Sequence, residues 1–167
     1  GYYNVLGVRF SQYVRGDVSL SHKIVLGDKT ALAGRIFAGV GVPYSNSSAL
    51  PFDRLFYVGG SNSMRGWAPR PLGPGNTPAE DTPYPVQMGD MRLEANAEFR
   101  FPIWGMFNGA TLVDVGNVWY LGRDKAQVPA DGVFHFDKFY KQLGMNTGLG
   151  LRIDITFVIL RLDWGIQ

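Results

Sequence analysis

From Gly89 to Ile103 the chain reads GDMRLEANAEFRFPI, and polar and apolar positions alternate with a period of two. Asp90, Arg92, Glu94, Asn96, Glu98 and Arg100 fall on one side; Met91, Leu93, Ala95, Ala97, Phe99, Phe101 and Ile103 fall on the other. Successive side chains of a strand point to opposite faces, so the pattern predicts a β-strand between two different environments. The opening segment repeats it. Arg9, Ser11, Tyr13, Arg15, Asp17, Ser19, Ser21 and Lys23 share one face, while Val8, Phe10, Val14, Val18, Leu20, Ile24 and Leu26 dominate the other, over about 18 residues. That is long against the roughly 5–6 residues of an ordinary soluble strand.

A GDKT turn at 27–30 leads into ALAGRIFAGVGVPY, whose apolar side carries Leu32, Ile36, Ala38, Val40 and Val42, so the two segments read as a hairpin. FNGATLVDVGNVWYL then sets Val113, Val115, Trp119 and Leu121 against Leu112, Asp114, Gly116 and Val118, which puts a carboxylate in mid-strand. Leu149, Leu151, Ile153 and Ile155 alternate with Gly148, Gly150, Arg152 and Asp154. The phase slips at Phe157 and Val158, predicting a tight reversal near 156–158, after which Leu160, Leu162 and Trp164 oppose Arg161, Asp163 and Gly165. No segment has helical periodicity. The expectation is an all-β, antiparallel arrangement of six strands.

Two long connections interrupt the strands. The first, about 45–88, holds YVGGSNSMRGW and then APRPLGPGNTPAEDTPYP, with six of the ten prolines; the second, about 122–141, is GRDKAQVPADGVFHFDKFYK. Connections this long inside an ordered domain usually carry function or else are disordered. Long connections alternating with short turns are the pattern of an outer-membrane barrel.

Composition sharpens that reading. There are 22 glycines and 14% aromatics, with a mean hydropathy of -0.05, as expected where lipid-facing and water-facing residues alternate. No apolar run approaches the roughly 18 residues of a membrane helix, and GYYNVLGVRF has no signal-peptide character. A soluble sheet with one wet face is the competing explanation; the strand lengths and mid-strand charges favour lipid on one side and a hydrated lumen on the other. Six strands cannot close a polar lumen, because bacterial single-chain barrels have at least about eight. Open edges in lipid are costly. The sequence is therefore expected to be part of a larger barrel.

The net charge of +2 argues against a nucleic-acid partner. The absence of cysteine removes thiol nucleophiles and cysteine metal sites. Ser61 and Ser63 have no ordered base, since His22 is predicted on a strand and His135 in a remote loop, so no triad forms. Proline-rich coil follows the glycine-rich stretch where a phosphate loop needs a helix. Acidic residues alternating with arginine suggest mutual neutralisation rather than a metal site. No catalytic residue, metal or cofactor is assigned. Trp104, Trp119 and Trp164, with Tyr120, are expected in interfacial aromatic girdles.

FYVGGSNSMRGW followed by RPLGPG resembles the sixth outer loop of the BamA/TamA superfamily, the bacterial surface antigen family of outer-membrane assembly and translocation proteins. EANAEFRFP, ATLVDVGNVW and TGLGLRIDITFVILRLDWG resemble, in order, its last four strands. The form GGSNSMRGW…LGPG looks most like TamA-like members of the Bacteroidetes type.

The resemblance implies that residues 1–167 are the C-terminal portion of a barrel of about sixteen strands, with the upstream strands and POTRA domains not present. It implies a lateral seam whose local half is 158–167, and an inward-folding loop whose Arg65-Gly66-Trp67 tip, helped by Gly59 and Gly60, docks on Glu98 and Asp114 of the lumen wall. The periodicity independently puts both carboxylates on the polar faces of their strands. Trp67 has a second reading as a membrane-interface aromatic.

The implied partners are outer-membrane lipids, nascent outer-membrane proteins or other translocated cargo, and periplasmic or lipoprotein accessory subunits, all at the bacterial outer membrane. The alternatives are a passive channel or porin and an outer-membrane lipolytic enzyme.

Overall fold

The computed structural model describes residues 4–82, 87–121, 128–155 and 157–167. Part of the proline-rich stretch (83–86), the start of the second connection (122–127) and one position of the last reversal (156) lie outside the described residues. A short hairpin, β1 (Asn4–Val5) and β2 (Val8–Arg9), precedes six long strands: β3 (Tyr13–Gly27), β4 (Thr30–Pro43), β5 (Met91–Trp104), β6 (Phe107–Trp119), β7 (Gly144–Ile155) and β8 (Val158–Ile166). The six form one antiparallel sheet in chain order, each strand pairing with the next. The predicted all-β six-strand sheet is what the chain forms.

One prediction needs correction. The opening segment is not a single strand of about 18 residues, because β3 begins at Tyr13 and Val8–Arg9 pair with Asn4–Val5 instead. The ladder partner runs out first: Tyr13 pairs with Pro43, and the chain then turns away at Ser45, whose φ is 50°. Residues 10–12 are held by loop groups, Phe10 O accepting from Asn46 Nδ2 at 2.7 Å and Gln12 N–H donating to Ser47 Oγ at 2.8 Å.

Three short reversals (Gly27 to Thr30, Trp104 to Phe107, Ile155 to Val158) lie at one end of the sheet, and the connections 44–90 and 120–143 at the other. Alternation gives the sheet two unlike faces. On the apolar face Ile24, Ile36, Ile103, Val113, Leu149, Leu160 and Trp164 stand exposed. The polar face is covered by the described residues of the first connection, 44–82 and 87–90. Phe56, Val58, Met64 and Val118 form a buried cluster there, joined by Phe37, Trp67 and Leu72, and Leu50, Leu55 and Met88 form a second one against Tyr13. The core thus lies between loop and polar face. The opposite face, where a soluble sheet would bury its hydrophobic residues, is open.

The expected aromatic girdle divides. Trp104 and Trp164 are exposed, but Trp119 and Tyr120 are buried. Trp119 is on the same side as Val113 by parity, yet the ring lies under Phe134 and Phe139, with centroids at 5.5 and 6.4 Å, and its Nε1–H donates to Gln142 Oε1 at 2.9 Å. The second connection folds over that corner and covers the ring. Alternation reports the side of a strand, not what else lies on that side.

Candidate functional site

The glycine-rich stretch packs on the polar face through a set of tight backbone closures. Gly60 N–H donates to Trp67 O at 2.8 Å, Ser63 N–H to Gly60 O at 3.0 Å and Trp67 N–H to Met64 O at 3.0 Å. Gly59 and Gly60 have φ of 100° and 94°, a region in which a side chain is strained. The closures leave the Arg65 side chain aimed at the sheet.

The register prepares a receptor for it. Asn96 of β5 pairs with Asp114 of β6, and Asp114 with Asn146 of β7, so Asp114 sits in a row flanked by two carboxamides. Glu98 pairs with Leu112, which makes it a diagonal neighbour of Asp114, a separation of about 7–8 Å that a planar guanidinium can bridge. Arg65 Nε–H donates to Asp114 Oδ2 at 3.0 Å and Nη2–H to Asp114 Oδ1 at 2.7 Å, while Nη1–H donates to Glu98 Oε2. The backbone N–H of Arg65 adds a bond to Asp114 Oδ2 at 2.9 Å. Asn96 and Asn146 complete the shell, donating to Asp114 at 2.9 and 3.1 Å. All three charged side chains are nearly sealed, at 7, 8 and 0% exposure for Arg65, Glu98 and Asp114.

Arg65, Glu98 and Asp114 are therefore together. Gly59 and Gly60 form the turn, and Trp67 packs on the Phe56–Val58–Met64–Val118 cluster, away from the exposed apolar face. Gly66 lies against β7 and β8. A Cβ there would stand 2.7 Å from Asn146 Cβ, and a Cβ on Gly165 of β8 would stand 2.5 Å from Gly66 Cα. Only glycine at both positions admits that approach. Gln167 Nε2–H donates to Gly66 O at 2.8 Å and Arg161 Nη2–H to Ser61 O at 3.2 Å, so the final strand also grips the loop.

Several participants escaped sequence reasoning. Ser63 Oγ donates to buried Glu94 at 2.5 Å and accepts from Gly59 N–H at 3.0 Å and Arg92 at 3.1 Å. Glu94 also takes Arg35 and Arg92, and Asn96 donates to Ser63 O at 2.9 Å. Arg152 joins Glu98 at 3.1 Å to Asp163 at 2.5 Å. The period-two alternation marked the face on which Arg92, Glu94, Asn96, Arg152 and Asp163 lie, but no local signal singled out Ser63.

Six arginines thus surround four carboxylates: Arg35 and Arg92 on Glu94; Arg65, Arg100 and Arg152 on Glu98; Arg65 on Asp114; Arg152 and Arg161 on Asp163. Every carboxylate of the network is engaged by a guanidinium. The arrangement is suited to fastening a loop to a wall. Removing one member of such a buried set leaves its partners uncompensated, at a cost of about 3–5 kcal/mol.

The model of the Omp85 superfamily domain matches residues 3–167, nearly the whole chain. The chain belongs to the Omp85 superfamily. Among solved structures it is similar to the crystal structure of BamA from Haemophilus ducreyi lacking POTRA domains 1-3, with a TM-score of 0.73 and 20% sequence identity. The match covers 93% of this chain and 31% of that one, so the Omp85 sheet described here spans about a third of the solved relative. At that identity the likeness is one of fold. A search of curated proteins found no match.

Proposed function

We propose that this Omp85 chain is the C-terminal portion of an outer-membrane barrel that assembles other outer-membrane proteins or translocates cargo, without enzymatic chemistry of its own. The apolar face meets lipid and the polar face lines the lumen. The 44–90 connection is the inward-folding loop, and its Arg65-Gly66-Trp67 tip is docked on Glu98 and Asp114. Residues 158–167 are one side of a lateral seam, at which the membrane is thinned or opened for an incoming strand or other cargo. Periplasmic POTRA domains and lipoprotein subunits deliver that cargo.

One observation carries the reading: the loop tip is bound simultaneously by the ionic receptor on β5 and β6 and by the glycine contact with β8. A guanidinium fork in a nearly sealed site fixes the tip to the wall with little screening. The tip in turn touches Gly165 and Gln167, so the wall's ionic network sets the position of the last strand. A seam that must open without unravelling needs such a brace.

The test uses the full-length parent protein in liposomes with an unfolded outer-membrane barrel as substrate, alongside Arg65→Ala. Faster insertion that the substitution abolishes, with the barrel still folded, is the expected result. No acceleration, with steady ion conductance in both forms, would make the protein a channel and remove the assembly role.

A further inference from the structure

We propose that the aromatic cluster of the second connection is a membrane anchor that sits in the headgroup boundary of the outer leaflet and clips the rim of the sheet to the lipid surface. The inference rests on the membrane reading above and goes beyond it. Membrane anchoring by this loop does not follow from the strands, whose apolar face ends below it.

The cluster is built rather than accidental. Trp119, Phe134, Phe136, Phe139 and Tyr140 form a continuous set of ring contacts, with Phe134–Phe136 at 6.5 Å, Phe136–Phe139 at 5.9 Å and Phe139–Tyr140 at 6.1 Å. Backbone closures order the segment: Phe134 N–H donates to Tyr120 O at 2.9 Å and Phe139 N–H to His135 O at 2.9 Å. Yet Phe136 is 83% exposed and Tyr140 56% exposed. An ordered loop that holds a phenylalanine ring in the open presents it to a partner.

Three observations choose lipid as that partner. First, the cluster is seated on the face of Trp119, the side of β6 that carries exposed Val113, and exposed Met145 and Leu149 continue that face on β7. Second, a membrane-crossing strand needs about 9–11 residues. β6 begins at Phe107 at the short-turn end, so the far boundary of the hydrocarbon falls near 115–117, and Trp119 with its rings stands at the outer headgroup level. Third, Lys138 and Lys141 are exposed beside the rings, with Lys141 Nζ 5.8 Å from the Tyr140 centroid. Aromatic rings flanked by lysines match a boundary that is apolar below and bears phosphate above.

The chain has no cysteine, so a nitroxide can be placed at one site by Phe136→Cys, with any cysteine elsewhere in the full-length parent replaced by serine. Leu149→Cys on the apolar face and Glu80→Cys in the exposed first connection serve as references. In proteoliposomes of the full-length protein, accessibility to oxygen and to a water-soluble nickel chelate is read by electron paramagnetic resonance. The oxygen-to-nickel ratio at Phe136→Cys is expected to be several-fold above that at Glu80→Cys and to approach that at Leu149→Cys. A ratio equal to Glu80→Cys with a lipid-like Leu149→Cys overturns the anchor alone. Water-like ratios at both Phe136→Cys and Leu149→Cys overturn the membrane reading itself. A label at 136 reached by neither reagent overturns the anchor too, because protein would then cover it.

Discussion

The two long connections are fastened to opposite faces of the same sheet by different chemistry. Residues 44–82 and 87–90 lie on the polar face, held by a buried arginine fork and a shell of carboxamides; residues 128–143 lie over a corner of the apolar face, held by edge-to-face rings and an indole hydrogen bond. Each loop uses the chemistry of the face beneath it. Among the described residues they meet where Asn117 Nδ2 donates to Gly75 O at 2.9 Å and also to Gln142 O, and Asn76 N–H donates to Asp131 O at 3.2 Å. If that junction is a clasp rather than a common core, each loop can be released without the other.

The largest test of that separation is Arg65→Ala. It strips the fork from Glu98 and Asp114 inside a nearly dry site, a loss of about 3–5 kcal/mol in loop docking. Limited proteolysis of the full-length protein should show new cleavage between 57 and 70 while 128–143 stays protected. Cleavage in both connections would mean that the loops form one unit. Trp119→Ala is the converse, at about 3 kcal/mol, the low end for a buried aromatic because the ring is capped by a loop rather than by deep core. It should expose 128–143 to protease and leave the Arg65 region intact.

Asn117→Ala attacks the clasp, leaving the carbonyls of Gly75 and Gln142 without their common donor, at about 2 kcal/mol. Here both connections should loosen together, read as simultaneous gains in amide exchange; a change confined to one loop would show that Asn117 serves that loop only. A finer probe is Gly165→Ala. Its Cβ would sit 2.5 Å from Gly66 Cα, and backbone on both sides gives way poorly, so about 1 kcal/mol of strain is expected. Faster exchange in β8 and at Gly66, without change at Trp119, would mark the strut as local to the first loop.

Much of this organisation was legible in residue order. The alternation around Glu94 and Glu98 needs no tertiary information, since a residue two places along a strand must return to the same side. The pairing of Asn96 with Asp114 is different, because it depends on the register between two strands and not on alternation within one. What alternation cannot encode is whatever approaches a face from elsewhere. Trp119 reads as a lipid-facing residue until Phe134 and Phe139 cover it, and Gly165 reads as an ordinary strand glycine until Gly66 arrives from 99 positions earlier. Ser63 is silent for a similar reason, because its hydroxyl acquires meaning only when Glu94 is 2.5 Å away. Face is a local property and cover is not.

The smallest effect belongs to Asp90, which precedes β5 at the end where both connections gather. Burial raises its pKa above the ordinary value of 3.8, against the opposing pull of the Leu121 N–H, which donates to Oδ2 at 3.1 Å. A carboxyl whose folded-state pKa is raised binds its proton more tightly when folded, so the fold is favoured at acid pH. That advantage fades as pH climbs from the unfolded value through the raised one and is gone above it. Asp90→Asn removes the charge while keeping an oxygen that can accept from Leu121. The variant should therefore be slightly more resistant to unfolding than the parent at neutral pH, with the gap closing as pH falls through the raised value towards about 4. Denaturant titrations at pH 7 and at pH 3.5 measure it. A gap that widens on acidification would mean that the ionised carboxylate, not the neutral one, is what the junction holds.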